Sequence, residues 1–227
     1  MMKRTLLLLP FLLVLVLLAS CNTTKMLTSG VKAGEVTDLQ LMEPLGFVAL
    51  IQQGSEPVHN DSLSRIGSLL LDEVLSKQHL LPVTGRIDFS NDWLRHQVKS
   101  EVLDLCARIE KQKTLDNVVL GSTVDSLLEA SGKRFGLFVL LQGLTRTKRN
   151  YANQSLKGGM IGLLTLGLYM PVPIKAQTRV LALVVDAEEN NVAFFRSTVF
   201  KNKEPLDIEV LKSDVEDLFE KYFWVTK

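Results

Sequence analysis

Apolar and polar positions fall into blocks along this chain. Residues 6–18 are an almost unbroken apolar run, and from Asn22 to about Asp38 Thr, Ser, Gly and Lys dominate without a period, the pattern of a tether. Residues 45–52 form a short apolar run bounded by Pro44 and by Gly54, Ser55 and Pro57, which predicts a strand. A helix is predicted next: Asn60, Asp61 and Ser62 offer caps, Leu63, Ile66, Leu70 and Val74 recur at helical spacing, and Lys77 suits the C-terminal end. Residues 80–89 read as a second strand, placed at an edge or bulge by Pro82 and Gly85. Ser90, Asn91 and Asp92 then cap a longer helix to about Gln112, with Leu94, Val98, Val102, Leu105 and Ile109 on one face. A shorter helix over 124–130, capped by Ser122 or Thr123 and closed by Gly132, precedes residues 135–142, which are apolar enough for a central strand. Residues 180–185 and 192–200 predict two strands around the polar turn Glu188, Glu189, Asn190 and Asn191. A last helix is expected from about 207 to 223, its buried stripe being Val210, Leu211, Val215, Leu218 and Phe219.

Helices follow the early strands and a hairpin comes late. That order predicts an α/β (α+β) domain, a mixed β-sheet flanked by helices, with no internal repeat. The expected organisation is a tether over 21–38 and one α/β domain over 39–227, carrying an apolar Gly-rich insertion at about 150–175.

At the N-terminus, Lys3 and Arg4 precede the apolar run, and small residues Ala19 and Ser20 close it before Cys21. This is the order of a secretory signal, and the run is short of the roughly 20 residues a spanning helix needs. Leu18, Ala19, Ser20 and Cys21 resemble the lipobox of bacterial lipoproteins. The resemblance implies that residues 1–20 are a signal peptide, that the chain is cut before Cys21, and that this thiol carries the lipid, palmitate among its chains. Several chains on one cysteine make a persistent anchor where one is marginal. Asn22, Thr23, Thr24 and Lys25 put no acidic residue beside the lipid, which by resemblance to Gram-negative sorting signals implies the outer membrane, facing the periplasm.

Removing the signal leaves 207 of the 227 residues, with 24 basic residues against 25 acidic. The remainder is long enough to bury a core unaided, and its charge gives no reason to expect a nucleic-acid partner. With Cys21 acylated, Cys106 has no partner in the chain, and its neighbours Leu103, Leu105 and Ile109 mark it as a buried apolar residue. His59, His79 and His96 lack the spacing of a zinc helix. No serine sits in a Gly-x-Ser-x-Gly elbow, and Ser131, Gly132, Lys133 and Arg134 lack the upstream glycine of a phosphate loop. Gly158, Gly159 and Gly162 are followed by no helix suited to a dinucleotide site. Asp72 with Glu73, and Glu188 with Glu189, read as solvated surface. The expectation is therefore no catalytic residues, no cofactor and no metal, and a chain that is not an enzyme.

One stretch exceeds what a generic domain requires. Met160, Ile161, Leu163, Leu164, Leu166, Leu168, Tyr169 and Met170 lie among Gly158, Gly159, Gly162, Gly167, Pro171 and Pro173, a composition that resists a long regular element. Arg146, Lys148, Arg149 and Lys157 precede it, and Lys175 and Arg179 follow. Three readings stay open: Leu163, Leu166 and Leu168 fold back as a lid over the sheet, the segment enters a membrane surface through its apolar tip and basic collar, or it forms a subunit contact.

The order of elements from Gly46 to Phe223 resembles a group of envelope lipoproteins that includes CsgG, LpoB and the TolB N-terminal domain. The likeness is carried by the opening strand, the helix from Leu63 to Lys77 with its following strand, the passage from Gly132, Lys133, Arg134 and Phe135 to Leu141, Gln142 and Gly143, and the hairpin led by Leu183, Val184, Val185 and Asp186. It implies a domain that binds or assembles, without catalytic residues. The chain departs from CsgG in lacking two alternating amphipathic hairpins for a pore. The expected function is a membrane-anchored periplasmic lipoprotein acting as an envelope binding or assembly factor, its partners being the membrane through Cys21 and either an unidentified envelope protein or itself. Two alternatives accompany it: an oligomeric membrane-inserting secretion or pore component, and a cell-wall or lipid hydrolase.

Overall fold

The computed structural model describes residues 26–224; the expected signal peptide and Cys21 lie outside the described residues. The fold is organised on one mixed sheet of eight strands: β1 (Leu27–Thr28), β2 (Leu39–Met42), β3 (Leu45–Ile51), β4 (Val58–His59), β5 (Val83–Ile87), β6 (Phe135–Arg146), β7 (Ala176–Asp186) and β8 (Asn191–Lys201). Five helices accompany it: α1 (Asp61–Ser76), α2 (Asp92–Gln112), α3 (Ser122–Ser131), α4 (Lys148–Leu164) and α5 (Ile208–Phe219). The class is α/β, as the element order predicts.

β6 is the centre. Antiparallel β7 pairs with it from Phe135 to Thr145, and β8 follows through a hairpin in which Asn190 supplies the left-handed turn residue at φ 47°. On its other edge two short parallel strands share its length: β2 pairs Phe135 to Leu137, and β3 pairs Leu140 to Arg146. β5 extends β2 at the edge, where a register irregularity at Leu39 and Gln40 accompanies Gly85. β2 was not anticipated: its Leu39, Gln40, Leu41 and Met42 are all buried and show no alternation.

Helices cover both faces. Leu71, Val74 and Leu75 of α1 pack with Leu211, Val215 and Leu218 of α5 against Val139, Leu141, Val180 and Ala182. On the opposite face Val98, Val102, Leu105 and Ile109 of α2 join Val124 and Leu128 of α3 over Phe138, Leu140, Leu181 and Leu183. The caps read from the sequence hold for α1 and α2, where Asn60 and Asn91 accept from the Leu63 and Leu94 amides at 2.9 and 2.8 Å. At α3 the cap is borrowed: Glu101 of α2 accepts from the Thr123 and Val124 amides. The buried face of α1 is rotated from the expected one. Ser64 and Gly67 lie against the sheet while Ile66 is exposed, because these small residues let the helix approach β3 and Leu141 closely.

Part of the stretch read as a tether packs on the domain. Leu27 and Thr28 pair with Phe195 and Phe194, Val36 is in the core, and the Tyr222 hydroxyl donates to the Val31 carbonyl at 3.0 Å. Tyr222, Phe219 and Phe194 form a stacked aromatic cluster that closes this end of the α5 layer. At the other rim, Arg134 donates twice to the buried Asp186 carboxylate, at 2.9 and 2.7 Å, and fixes where β6 begins opposite the end of β7.

Asp214 of α5 is fully buried, and neither carboxylate oxygen has a hydrogen-bond partner. Burial pushes its pKa up to about 7. In the unfolded chain the same carboxyl ionises near 3.8, so folding takes up a proton between the two values. This contribution to stability is complete below the lower value and is lost as pH rises toward and through about 7. Asp214→Asn removes the loss: thermal unfolding followed by circular dichroism shows the variant gaining on the wild type between about pH 4 and about pH 7, by about 1 kcal/mol per pH unit, and the difference levelling off above that.

Candidate functional site

The segment that stood out in the sequence is a helical hairpin projecting from one end of the sheet. β6 runs out of its strand pairing at Arg146, Thr147 caps α4 by accepting from the Asn150 amide at 3.3 Å, and the helix continues to Leu164 through Gly158, Gly159 and Gly162. A regular helix here corrects the expectation that the glycines forbid one. The chain returns along it: the Pro171 carbonyl lies against Gly158, where any side chain would collide, and Met170 lies against Gly162, where an added Cβ would press the Met170 side chain aside by a few tenths of an ångström. Two glycines one turn apart therefore make a groove for the returning strand of chain, a packing gain that outweighs their poor helix propensity.

The apex is tightly fixed. The Gly167 amide donates to the Gly162 carbonyl at 2.7 Å, and the Thr165 hydroxyl lies 2.9 Å from the Tyr169 carbonyl. Leu166 and Gly167 both take the left-handed region, φ 51° and 83°. For a leucine that conformation is strained, and it holds an apolar side chain at the very tip. Leu163, Leu164, Leu166 and Leu168 are 80–92% exposed, with Met160, Tyr169, Met170 and Val172 also open and Ile161 less so. The lid reading fails on those exposures: the leucines point away from the sheet. Contiguous apolar surface of this kind is uncommon on a free protein and marks a contact with lipid or another chain.

At its base the hairpin is clamped to the loop after β3. The Gly54 carbonyl accepts from Arg146 at 3.0 Å, from Asn150 at 3.1 Å and from Gln154 at 3.1 Å, and Arg146 also donates to the Ile174 carbonyl at 3.1 Å. Between that loop and α4 lies a cleft of about 540 Å³ lined by Gln52, Asn153, Arg149, Lys157, Leu156 and Met160 among others. The collar cations are thus separated in role: Arg146 braces the hairpin, Lys175 pairs with Glu204 at 3.5 Å, and Lys148, Arg149 and Lys157 have no ion-pair partner among the described residues. The sequence indicated the cations but not the loop of Gln52, Gln53 and Gly54 that faces them, since only the β3–β6 pairing brings the two together.

The direction of β1 relates this hairpin to the expected anchor. β1 is antiparallel to β8, so it enters from the Lys201 end of that strand, and Lys201 pairs with Gln177 beside the root of the hairpin. Cys21 precedes Leu27 by six residues. Six extended residues reach about 20 Å, close to the length of β8 between Phe195 and Lys201.

Other candidates are dispersed. His59 is on β4 and lies 3.1 Å from Asp61, His79 follows α1, and His96 is exposed on α2. A groove of about 780 Å³ between the starts of α1 and α2 holds His59, Arg65, Arg95 and Lys99, with Arg95 tied to Glu43 at 3.0 Å. Cys106 is buried and its thiol is pushed up to about 12 by desolvation, so it is inert. Among the described residues no group of three His, Cys, Asp or Glu side chains could hold a metal ion.

No family model and no curated protein matches the chain in sequence. Among solved structures it is similar to PelC dodecamers from Paraburkholderia phytofirmans, with TM-scores of 0.40 and 0.39 at 7% and 6% identity, covering 87% of this chain and 94% of those. It is also similar to the LpoB C-terminal domain from Salmonella enterica, with a TM-score of 0.29 at 8% identity, covering 76% of this chain and 87% of that one. At such identities the likeness says nothing about activity.

Gly158→Leu is expected to unseat the returning segment by steric overpacking, at a local cost of about 1–3 kcal/mol. Hydrogen exchange followed by mass spectrometry then speeds up by about ten-fold or more over residues 165–173 and stays unchanged in β6 and β7. Gly159→Ala, at a position with open space around it, leaves the exchange of the hairpin as it was.

Proposed function

We propose that this chain is a lipid-anchored envelope protein on the periplasmic side of the outer membrane, acting without catalysis as a binding or assembly factor, and held to the membrane at two points. One point is the lipid on Cys21; the other is the apolar hairpin. The observation that supports this reading is that β1 enters the sheet from the same end that launches α4, the end where a lipid on Cys21 and the exposed leucines would meet one bilayer.

Depth distinguishes contact from spanning. The apolar part of α4, from Met160 to Leu164, rises only about 7 Å along the helix axis, a length suited to burial at the headgroup and acyl boundary. No described helix is long and apolar enough to cross a membrane. The rigid return of the hairpin supports the same reading, because a preformed apolar tip enters lipid without an ordering cost.

The test places an environment-sensitive nitrobenzoxadiazole label at Leu166→Cys in the lipidated full chain. The buried, unreactive Cys106 and an acylated Cys21 leave the new thiol as the site of modification. After reconstitution into phosphatidylcholine vesicles, the emission shifts to the blue and is quenched by nitroxides attached to the acyl chains. Emission unchanged from that in water would remove the hairpin from the membrane and leave a protein partner as its occupant.

A further inference from the structure

We propose that the cleft between α4 and the loop joining β3 to β4 is a binding site for the headgroup of an anionic phospholipid, phosphatidylglycerol in chemical type. The proposal rests on the membrane contact above and assigns a ligand to its rim.

The first support is charge. Between Glu129 and Asp186 the chain contains eight basic residues and no acidic one, whereas over the rest acids outnumber bases, 25 to 18. The hairpin and its root therefore carry uncompensated positive charge, and the cleft concentrates it. Arg149 and Lys157 are exposed on α4, line the cleft, and have no carboxylate partner. Glu56, the acid of the facing loop, does not line this cleft but an adjoining hollow that shares Gln52 and Gln53 with it.

Geometry orders these groups by depth. Arg149, Asn153, Lys157 and Met160 follow at helical intervals on one stripe of α4, and the stripe continues to Leu164 at the tip. Lys157 stands about 5 Å from Met160 along the axis, which sets it at the phosphate level when Met160 meets the acyl boundary. Arg149 is about 12 Å further out. Between the two cations, the side chains of Gln52 and Asn153 make no hydrogen bond among the described residues and line the cleft. A phosphate on Lys157, glycerol hydroxyls on the two amides, and acyl chains along Leu156 and Met160 match the lining from end to end. An ethanolamine headgroup would instead bring its ammonium against Arg149, and a choline would offer the amides no donor.

The experiment uses the lipidated full chain in detergent, with native mass spectrometry to count retained lipid after adding phosphatidylglycerol, phosphatidylethanolamine or inorganic phosphate. Phosphatidylglycerol is retained preferentially, and Arg149→Gln with Lys157→Gln lowers its retention about thirty-fold, the equivalent of about 1 kcal/mol for each cation near a charged headgroup. Lys111→Gln, an exposed cation on α2, leaves retention unchanged. Equal retention of both lipids, or a double variant that binds as the wild type does, overturns the proposal. So does displacement of the lipid by inorganic phosphate, which would make this a site for free anions, or a second copy of the chain replacing the lipid. The two readings fail separately: a label at Leu166 that stays in water in phosphatidylcholine vesicles removes the membrane contact itself, whereas a label that enters lipid while no phosphatidylglycerol is retained removes only the headgroup site.

Discussion

Everything in this fold is placed by the length of β6. Its twelve residues are more than the helical layers can cover, and its two edges are treated differently. β7 pairs along nearly all of it, while β2 and β3 divide the other edge between them. That division requires the chain to step sideways at Glu43 and Pro44, where the Glu43 amide donates to the Ile87 carbonyl and its carboxylate receives the Phe89 amide and the Arg95 guanidinium. The buried first half of β6 anchors the core. The half-exposed second half, from Gln142 onward, is a stalk that carries α4 beyond the body of the domain.

Much of this was legible in the sequence because the relevant signals are local. Asn60 and Asn91 cap helices where their positions predict, Gly132 closes α3 in the left-handed region, and the Asn190 turn joins β7 to β8. What was not legible depends on distant partners. β1 and β2 are short and fully or partly buried without alternation, so nothing in residues 27–42 separates them from a tether until β8 and β6 are present to pair with them. The rotation of α1 has the same origin: Ile66 satisfies the helical period as well as Gly67 does, and only the close approach of Leu141 selects the glycine. Helix α4 was hidden for a related reason, since the two glycines that argue against it are the ones its returning strand requires.

The hairpin combines rigidity with exposure, and those properties usually oppose each other. Exposed apolar loops tend to be mobile, because nothing repays the entropy of ordering them. Here the order comes from within: Gly158 and Gly162 admit the return, the Gly54 carbonyl gathers three donors at the root, and the Thr165 hydroxyl links both arms near the apex. None of these contacts uses the leucines. The side chains of Leu163, Leu164, Leu166 and Leu168 thus take no part in the contacts that hold the hairpin together and stay exposed.

Lipid on a cysteine fixes only distance from a membrane; it leaves the attached domain free to rotate. A second contact at the same end removes that freedom, and the gain is one of effective concentration rather than intrinsic affinity. On the proposed attachment, six residues between Cys21 and Leu27 can span at most about 20 Å, so even a weak apolar tip would be held near the surface. The consequence falls on the opposite end of the molecule. The β7–β8 turn, with Asp186 clamped by Arg134, and the α3 end that the Asn190 side chain ties down through the Leu120 amide form the end of the sheet opposite the hairpin. An orientation set at one end of a stiff sheet is transmitted along β6 to the other, and on the proposed two-point attachment this far end is the surface turned from the membrane.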